Sequence, residues 1–144
     1  MTHLYFAYGS NLNPEQMQRR CPDSQFIDIA TLRGFHLAFA GHSRRWGGGV
    51  ATVLEAPKDQ VEGIVWSISD RDLESLDRCE GYPYSYDRLS FEVQLASGEP
   101  HSALIYVKQN PNSAPPSAEY LAVIQRAYED RGFDVSELAR AAKR

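Results

Sequence analysis

The sequence predicts an α+β fold in which a curved, mostly antiparallel sheet carries peripheral helices. Three observations predict it. Extended apolar segments follow one another across short turns, as at Ser97-Gly98, instead of alternating with helices as parallel βαβ units do. One run, FIDIATLRGFHLAFAG, reads as a single long strand with Gly34 where it can bend or break. The stretches with helical spacing carry their own start and stop residues. No repeat or compositional break divides the chain, so residues 1–144 read as one domain.

The elements follow in order. HLYFAY is a buried strand bounded at Gly9. Asn13 then caps a helix, Pro14 takes its first position, and Gln16 stands where its side chain can reach back to the cap. Cys21-Pro22 closes that short helix. In the long run, Phe35, Leu37 and Phe39 alternate inward. GGGVATVLEA resumes extended structure after a flexible turn at Gly47 to Gly49, and VEGIVWSI is a further strand. Ser69 and Asp72 have capping-box spacing at the head of SDRDLESLDRC, where Leu73 and Leu76 form the apolar stripe. LSFEVQL alternates through Leu89, Phe91, Val93 and Leu95, and SALIYVK returns antiparallel to it. NPNSAPPS is a turn-rich connection to a helix capped by Ser117, with Leu121, Ile124 and Tyr128 at helical spacing. Gly132 ends it, and ELARAAKR is a shorter terminal helix.

Composition narrows the function. A chain of 144 residues with 42% hydrophobic and 24% charged residues can bury a real core and is not disordered. A net charge of −4, with Arg44-Arg45 as an isolated basic pair, argues against nucleic acid. No apolar run approaches the ~20 residues a membrane span needs, and no leader pattern precedes FAYGSN. Cys21 and Cys79 are too few and too far apart for a metal or redox motif, which suggests free thiols in a cytoplasmic protein. His3, His36, His42 and His101 form no short ligand motif, so no metal is expected.

Two stretches carry candidate chemistry. In FAYGSN, a glycine turn can expose consecutive backbone N–H groups as an anion nest, with the Ser10 hydroxyl and the Asn11 amide beside it. Asn11 can either donate to a ligand or brace the turn. Alone, the triplet is better explained as a linker capped by its own side chains. The second stretch is LDRCEGYPYSYDR. Glu80 stands where its helix should end, just before Gly81 and under three tyrosines. The helix C-terminus and burial both disfavour the carboxylate and push its pKa toward neutrality, where it can exchange protons. An exposed glutamate before a loop fits the spacing equally well. Asp77 and Glu80 lie one helical turn apart, too close to flank a glycosidic bond. Cys79 has no nearby histidine and reads as a core thiol. Tyr86 and Tyr120 read either as packed aromatics, the Tyr120 hydroxyl then reaching the surface, or as hydrogen-bonding groups at a pocket rim.

Taken together, YFAYGSNL, LDRCEGYPYSYDR and PPSAEYLAVIQRAYEDRGF resemble the gamma-glutamylcyclotransferase-like superfamily, which includes the AIG2-like proteins. GGGVATV and VEGIVWSI also look like its recurrent glycine-containing strands. The resemblance implies a mixed, barrel-like sheet with surrounding helices. It implies that Tyr8, Gly9, Ser10, Asn11 and Leu12 hold the γ-glutamyl part of a small substrate, largely through main-chain groups. It carries the catalytic glutamate to Glu80 and pocket-lining tyrosines to Tyr86 and Tyr120. The implied reaction is an intramolecular cyclisation that releases 5-oxoproline and a free amine, with Glu80 as base and then acid and with no cofactor; the alternatives are a non-catalytic binding protein for γ-glutamyl or related small molecules, or an amidase or acyltransferase using the same pocket. EGYP and Tyr86-Asp87-Arg88 look closer to the AIG2-like and γ-glutamylamine branches, and YGSN to the γ-glutamyl-peptide branch. Trp46 in GHSRRWGGG and the residues from Asn110 to Pro116 are candidates for the leaving-amine side. Neither the leaving amine nor the oligomeric state follows from the sequence.

Overall fold

The computed structural model describes residues 1–109 and 112–144. Five strands, β1 (Thr2–Ala7), β2 (Gln25–Ser43), β3 (Gly48–Ser69), β4 (Tyr86–Leu95) and β5 (Pro100–Lys108), close into a barrel in the order β1-β3-β2-β4-β5. Neighbouring strands run antiparallel except β1 and β5, whose parallel contact at Tyr5 and Leu104 joins first strand to last. The sheet is therefore mixed and mostly antiparallel, and closure removes its free edges. Among the described residues, α1 (Pro14–Arg20), α2 (Asp70–Glu80), α3 (Ala118–Arg131) and α4 (Val135–Ala142) pack around it. Phe6, Leu32, Leu37, Ile64 and Ile105 are fully buried strand residues, and Met17, Leu76, Ile124 and Leu138 bring the four helices onto the same core. None of these helices is long and apolar enough to cross a membrane.

The long run FIDIATLRGFHLAFAG is one strand, β2, and it bends where Gly34 takes φ +86°. Register passes from Arg33–Gln60 to Phe35–Glu55, so residues 56–59 are left out of the pairing. GGGVATVLEA and VEGIVWSI, expected as two strands, are one 22-residue strand, because continuous β2 holds both halves across that bulge. Gly48 and Gly49 belong to this strand and are not a flexible turn. The Gly49 N–H donates to Pro115 O at 2.9 Å, and a Cβ there would lie 2.2 Å from Ala114 O. Close backbone approach, not mobility, is what requires glycine. Asn110 and Pro111 of the NPNSAPPS connection lie outside the described residues.

The caps form largely as expected. Asn13 Oδ1 accepts from Gln16 N at 2.9 Å, Ser69 and Asp72 complete a capping box, and Ser117 accepts from Tyr120 N. The Gln16 side chain, however, does not close a box with Asn13; it turns toward residues 10 and 11. In β4, Val93 and Leu95 are buried, but Leu89 is 40% exposed. β2 reaches β4 only at Ala30–Leu95 and Thr31–Gln94, at the far end of β4 from Leu89.

Candidate active site

A cavity of about 230 Å³ opens where the turn after β1, the end of α2 and the start of β4 meet. Tyr8, Gly9, Ser10 and Asn11 line it from the turn, Glu80 from α2, Tyr86 from β4 and Tyr120 from α3. Leu12 does not line it. Its side chain is 1% exposed in the core, and its N–H donates to Gly9 O at 3.0 Å. Residues that are far apart in sequence thus share one concave, mixed-polarity surface.

The turn is a short 3-10 segment, Ser10–Leu12. The N–H groups of Leu12 and Asn13 close it onto Gly9 O and Ser10 O, each at 3.0 Å, and the earlier N–H groups precede those bonds. Gly9 has φ −117° and ψ −134°, outside the left-handed region. Glycine is needed there for room, since a Cβ would lie 3.1 Å from Ala51 Cβ and 3.4 Å from the Tyr120 hydroxyl. Gln16 Nε2 donates to Ser10 Oγ at 2.7 Å and to Asn11 Oδ1 at 2.9 Å. Arg20 Nη1 donates to the same Asn11 oxygen at 3.0 Å, and Asn11 Nδ2 donates to the Tyr5 hydroxyl at 2.9 Å. Asn11 is therefore the brace of the turn. Ser10 Oγ accepts from Gln16 and keeps its own proton to donate.

Two tyrosines pin one residue of β3. Tyr86 donates its hydroxyl to Ala51 O at 2.8 Å, while Ala51 N donates to the Tyr120 hydroxyl at 2.8 Å. The Tyr120 hydroxyl is thus inside the molecule and not at the surface. Tyr8 donates to Tyr106 O. Burial is the main reason all of these phenols stay neutral, their pKa values being pushed upward; the charge of Glu80 adds to that for Tyr8, Tyr86 and Tyr120.

Glu80 is the last residue of α2 because Gly81 takes a left-handed conformation, φ 69° and ψ 34°, and Tyr82 N bonds back to Asp77 O at 2.9 Å. Burial raises the Glu80 carboxyl to about 7, and the positive charges of Arg20 and Lys108 pull against that rise. Its carboxyl makes no hydrogen bond or ion pair among the described residues. Asp77, one turn earlier, is not its partner: its carboxylate accepts from the Tyr106 hydroxyl at 2.7 Å and pairs with Arg88. Cys79 is exposed and lines the cavity, contrary to its reading as a core thiol; the last turn of α2 overhangs the cavity, so Cys79 and Glu80 meet it together. Cys21 is the buried thiol. The four histidines sit on strands, His42 at the cavity, and no cluster of three or more His, Cys, Asp or Glu among the described residues is arranged for a metal.

Several lining residues were not singled out from sequence. Arg20 could have been found, since it stands four residues after Gln16 on one face of α1. Tyr5 and Lys108 carry no local signal, because only closure of β1 against β5 brings them to the cavity. Trp46, from the GHSRRWGGG hairpin, also lines the cavity and packs its ring 4.9 Å from that of Tyr120.

The family model described as gamma-glutamyl cyclotransferase, AIG2-like, matches residues 5–124. The chain belongs to this family. It is 38% identical over 137 residues to the gamma-glutamylcyclotransferase of Mus musculus, covering 92% of this chain and 73% of that protein. With the Homo sapiens gamma-glutamylcyclotransferase the identity is 37% over 135 residues, covering 90% and 72%. A solved gamma-glutamyl cyclotransferase structure aligns with a TM-score of 0.89 at 33% identity, over 98% of this chain and 86% of that one. The closed mixed barrel is thus the gamma-glutamyl cyclotransferase fold. The expectation of an enzyme of this type agrees with what these relatives are named for.

Proposed function

We propose that this protein converts a γ-glutamyl amino acid, peptide or amine into 5-oxoproline and the free amine, with Glu80 moving the protons. The observation that carries this reading is the placement of Glu80: a carboxyl titrating at about 7, without a protein partner, in the cavity that also holds the glycine turn and the paired tyrosines. A structural glutamate would be exposed or paired.

The turn holds the glutamyl end. Its early N–H groups, the Ser10 hydroxyl and the Arg20 guanidinium supply donors and positive charge for the substrate α-carboxylate. Tyr86 and Tyr120, fixed on Ala51, hold the wall against which the chain folds back. Ionised Glu80 takes a proton from the α-ammonium, and the freed nitrogen attacks the γ-carbonyl carbon to close a five-membered ring. As the bond to the departing nitrogen breaks, Glu80 delivers its proton there. The surplus proton of the ring nitrogen passes to solvent, from which the released amine draws its own. Both reactants belong to one molecule, so positioning supplies much of the rate, up to roughly 7–11 kcal/mol in well-oriented cases. No electron changes hands and no external nucleophile enters, so this chemistry calls for no cofactor. The exposed free thiol of Cys79 fits a reducing compartment, and we place the protein in the cytoplasm.

Product identity tests the reaction type. A panel of γ-glutamyl amino acids, peptides and amines, followed by mass spectrometry, should yield 5-oxoproline. Linear glutamate as the product would instead mean hydrolysis by an activated water.

A further inference from the structure

The cyclotransferase reading leaves the released amine open, and one cation of the cavity bears on it. Lys108 is the last residue of β5. Its stem lies against Gly41, where a Cβ would come within 2.5 Å of Lys108 Cε. Its ammonium stands 4.9 Å over the ring of Tyr86, whose hydroxyl is held by Ala51 O. These two contacts fix the direction of a side chain that is otherwise flexible. Lys108 enters no ion pair among the described residues, and it is only partly exposed.

Its position is a boundary. A second, shallower recess of about 440 Å³ is lined by Gly41, His42, Tyr84, Ser85, Lys108 and Gln109. His42, Ser85 and Lys108 also line the main cavity, so the two spaces share a wall. A substrate with its glutamyl end at the turn and its scissile bond at Glu80 can pass its remaining part out along that wall. The glutamyl carboxylate already has Arg20 beside the turn. Arg45, which also lines the cavity, is exposed to solvent and stacked on Trp46, so its charge is screened. Lys108 is left as a preoriented, half-buried cation that forms no ion pair among the described residues, its charge reaching Glu80 only across the cavity.

We propose that Lys108 is a specificity-determining residue whose ammonium pairs with a carboxylate on the leaving amine, so that α-amino acids are released in preference to the corresponding amines lacking that carboxylate. An oriented ammonium in a partly dehydrated wall gains a charge-assisted hydrogen bond from the first kind of substrate and is left unpaired by the second. This assignment rests on the cyclotransferase reading of the same cavity, and its test separates the two.

γ-Glutamyl-alanine and γ-glutamyl-ethylamide differ only in the carboxylate. Wild type should favour the alanine compound in kcat/KM. Lys108→Met keeps the stem on Gly41 and removes the charge; it should cut that preference about tenfold or more, through KM for the alanine compound. Lys108→Arg should retain most of it. Loss of the Lys108 charge near Glu80 acts on both compounds alike and cancels in the ratio. An unchanged ratio in Lys108→Met, with both compounds still cyclised, overturns the assignment and leaves the cyclotransferase reading standing. If wild type releases 5-oxoproline from neither compound, the cyclotransferase reading falls. Calorimetric binding of the same pair to wild type and Lys108→Met then decides the Lys108 role: carboxylate-dependent affinity lost in the variant supports it, and equal affinities overturn it.

Discussion

Among single residues, Glu80 matters most, through the way it titrates. Its carboxyl is raised to about 7, chiefly by burial. As a base it must be ionised, so kcat/KM should rise with pH through that value. Arg20 lowers the Glu80 pKa, so Arg20→Met should move this limb to higher pH, which a pH–rate profile reads directly. The same titration has a stability consequence of opposite sense. A folded pKa above the unfolded one means the folded state holds the proton more tightly, so stability is present below about 4.5 and is lost as pH rises toward 7. Wild type should therefore lose Tm relative to Glu80→Gln across that window; parallel Tm curves would contradict the burial of the carboxyl. The reason Glu80 was legible is local: a glutamate before a helix-stopping glycine among tyrosines. Cys79 was misread by the same locality, because whether the last turn of α2 meets core or cavity depends on what lies opposite.

At the scale of elements, each functional group is held by a device that serves the fold. Gln16 belongs to α1 by its backbone and to the turn by its side chain, which holds Ser10 and Asn11 together. Gln16→Ala removes the donor to buried Ser10 Oγ and leaves Asn11 Oδ1 with Arg20 alone, and should cost about 1–3 kcal/mol of stability while raising KM, measured by urea unfolding and steady-state kinetics. Gly81 ends α2 in a left-handed conformation, and a Cβ there would meet Ser85 at 3.1 Å. Gly81→Ala should cost about 1–2 kcal/mol and lower kcat, since the residue it displaces is Glu80. Element identity was readable from caps, stops and alternation. Asn13, Ser69 and Ser117 announce helices by chemistry that acts within three residues. The joining of GGGVATVLEA and VEGIVWSI into one strand was not readable, because β2 across the sheet decides it. The role of Gly9 was half legible: the residue type was informative, but its cause, the nearness of Ala51 and Tyr120, is a tertiary fact.

At the scale of the whole molecule, the site is a product of barrel closure. The cavity takes walls from all five strands and from α1, α2 and α3, so the site exists only in the closed barrel. Urea should therefore abolish 5-oxoproline formation and far-UV circular dichroism with one midpoint. Activity lost well before the barrel would mean that the site is carried by a separately unfolding segment. This dependence on closure is also why Tyr5, Tyr106 and Lys108 escaped the sequence: their shared cavity exists only because β5 lies parallel to β1. The three motif blocks were legible because each keeps its own turn or cap, and family resemblance joined them into one site.

The central claim is that Glu80 moves the protons of an intramolecular cyclisation. Its most direct test is the rate of 5-oxoproline release by purified Glu80→Gln, a substitution that keeps size and polarity and removes the titrating group. The variant should lose at least about a hundredfold in kcat, with substrate still bound by the intact turn. Release at the wild-type rate from the same γ-glutamyl substrate would contradict it.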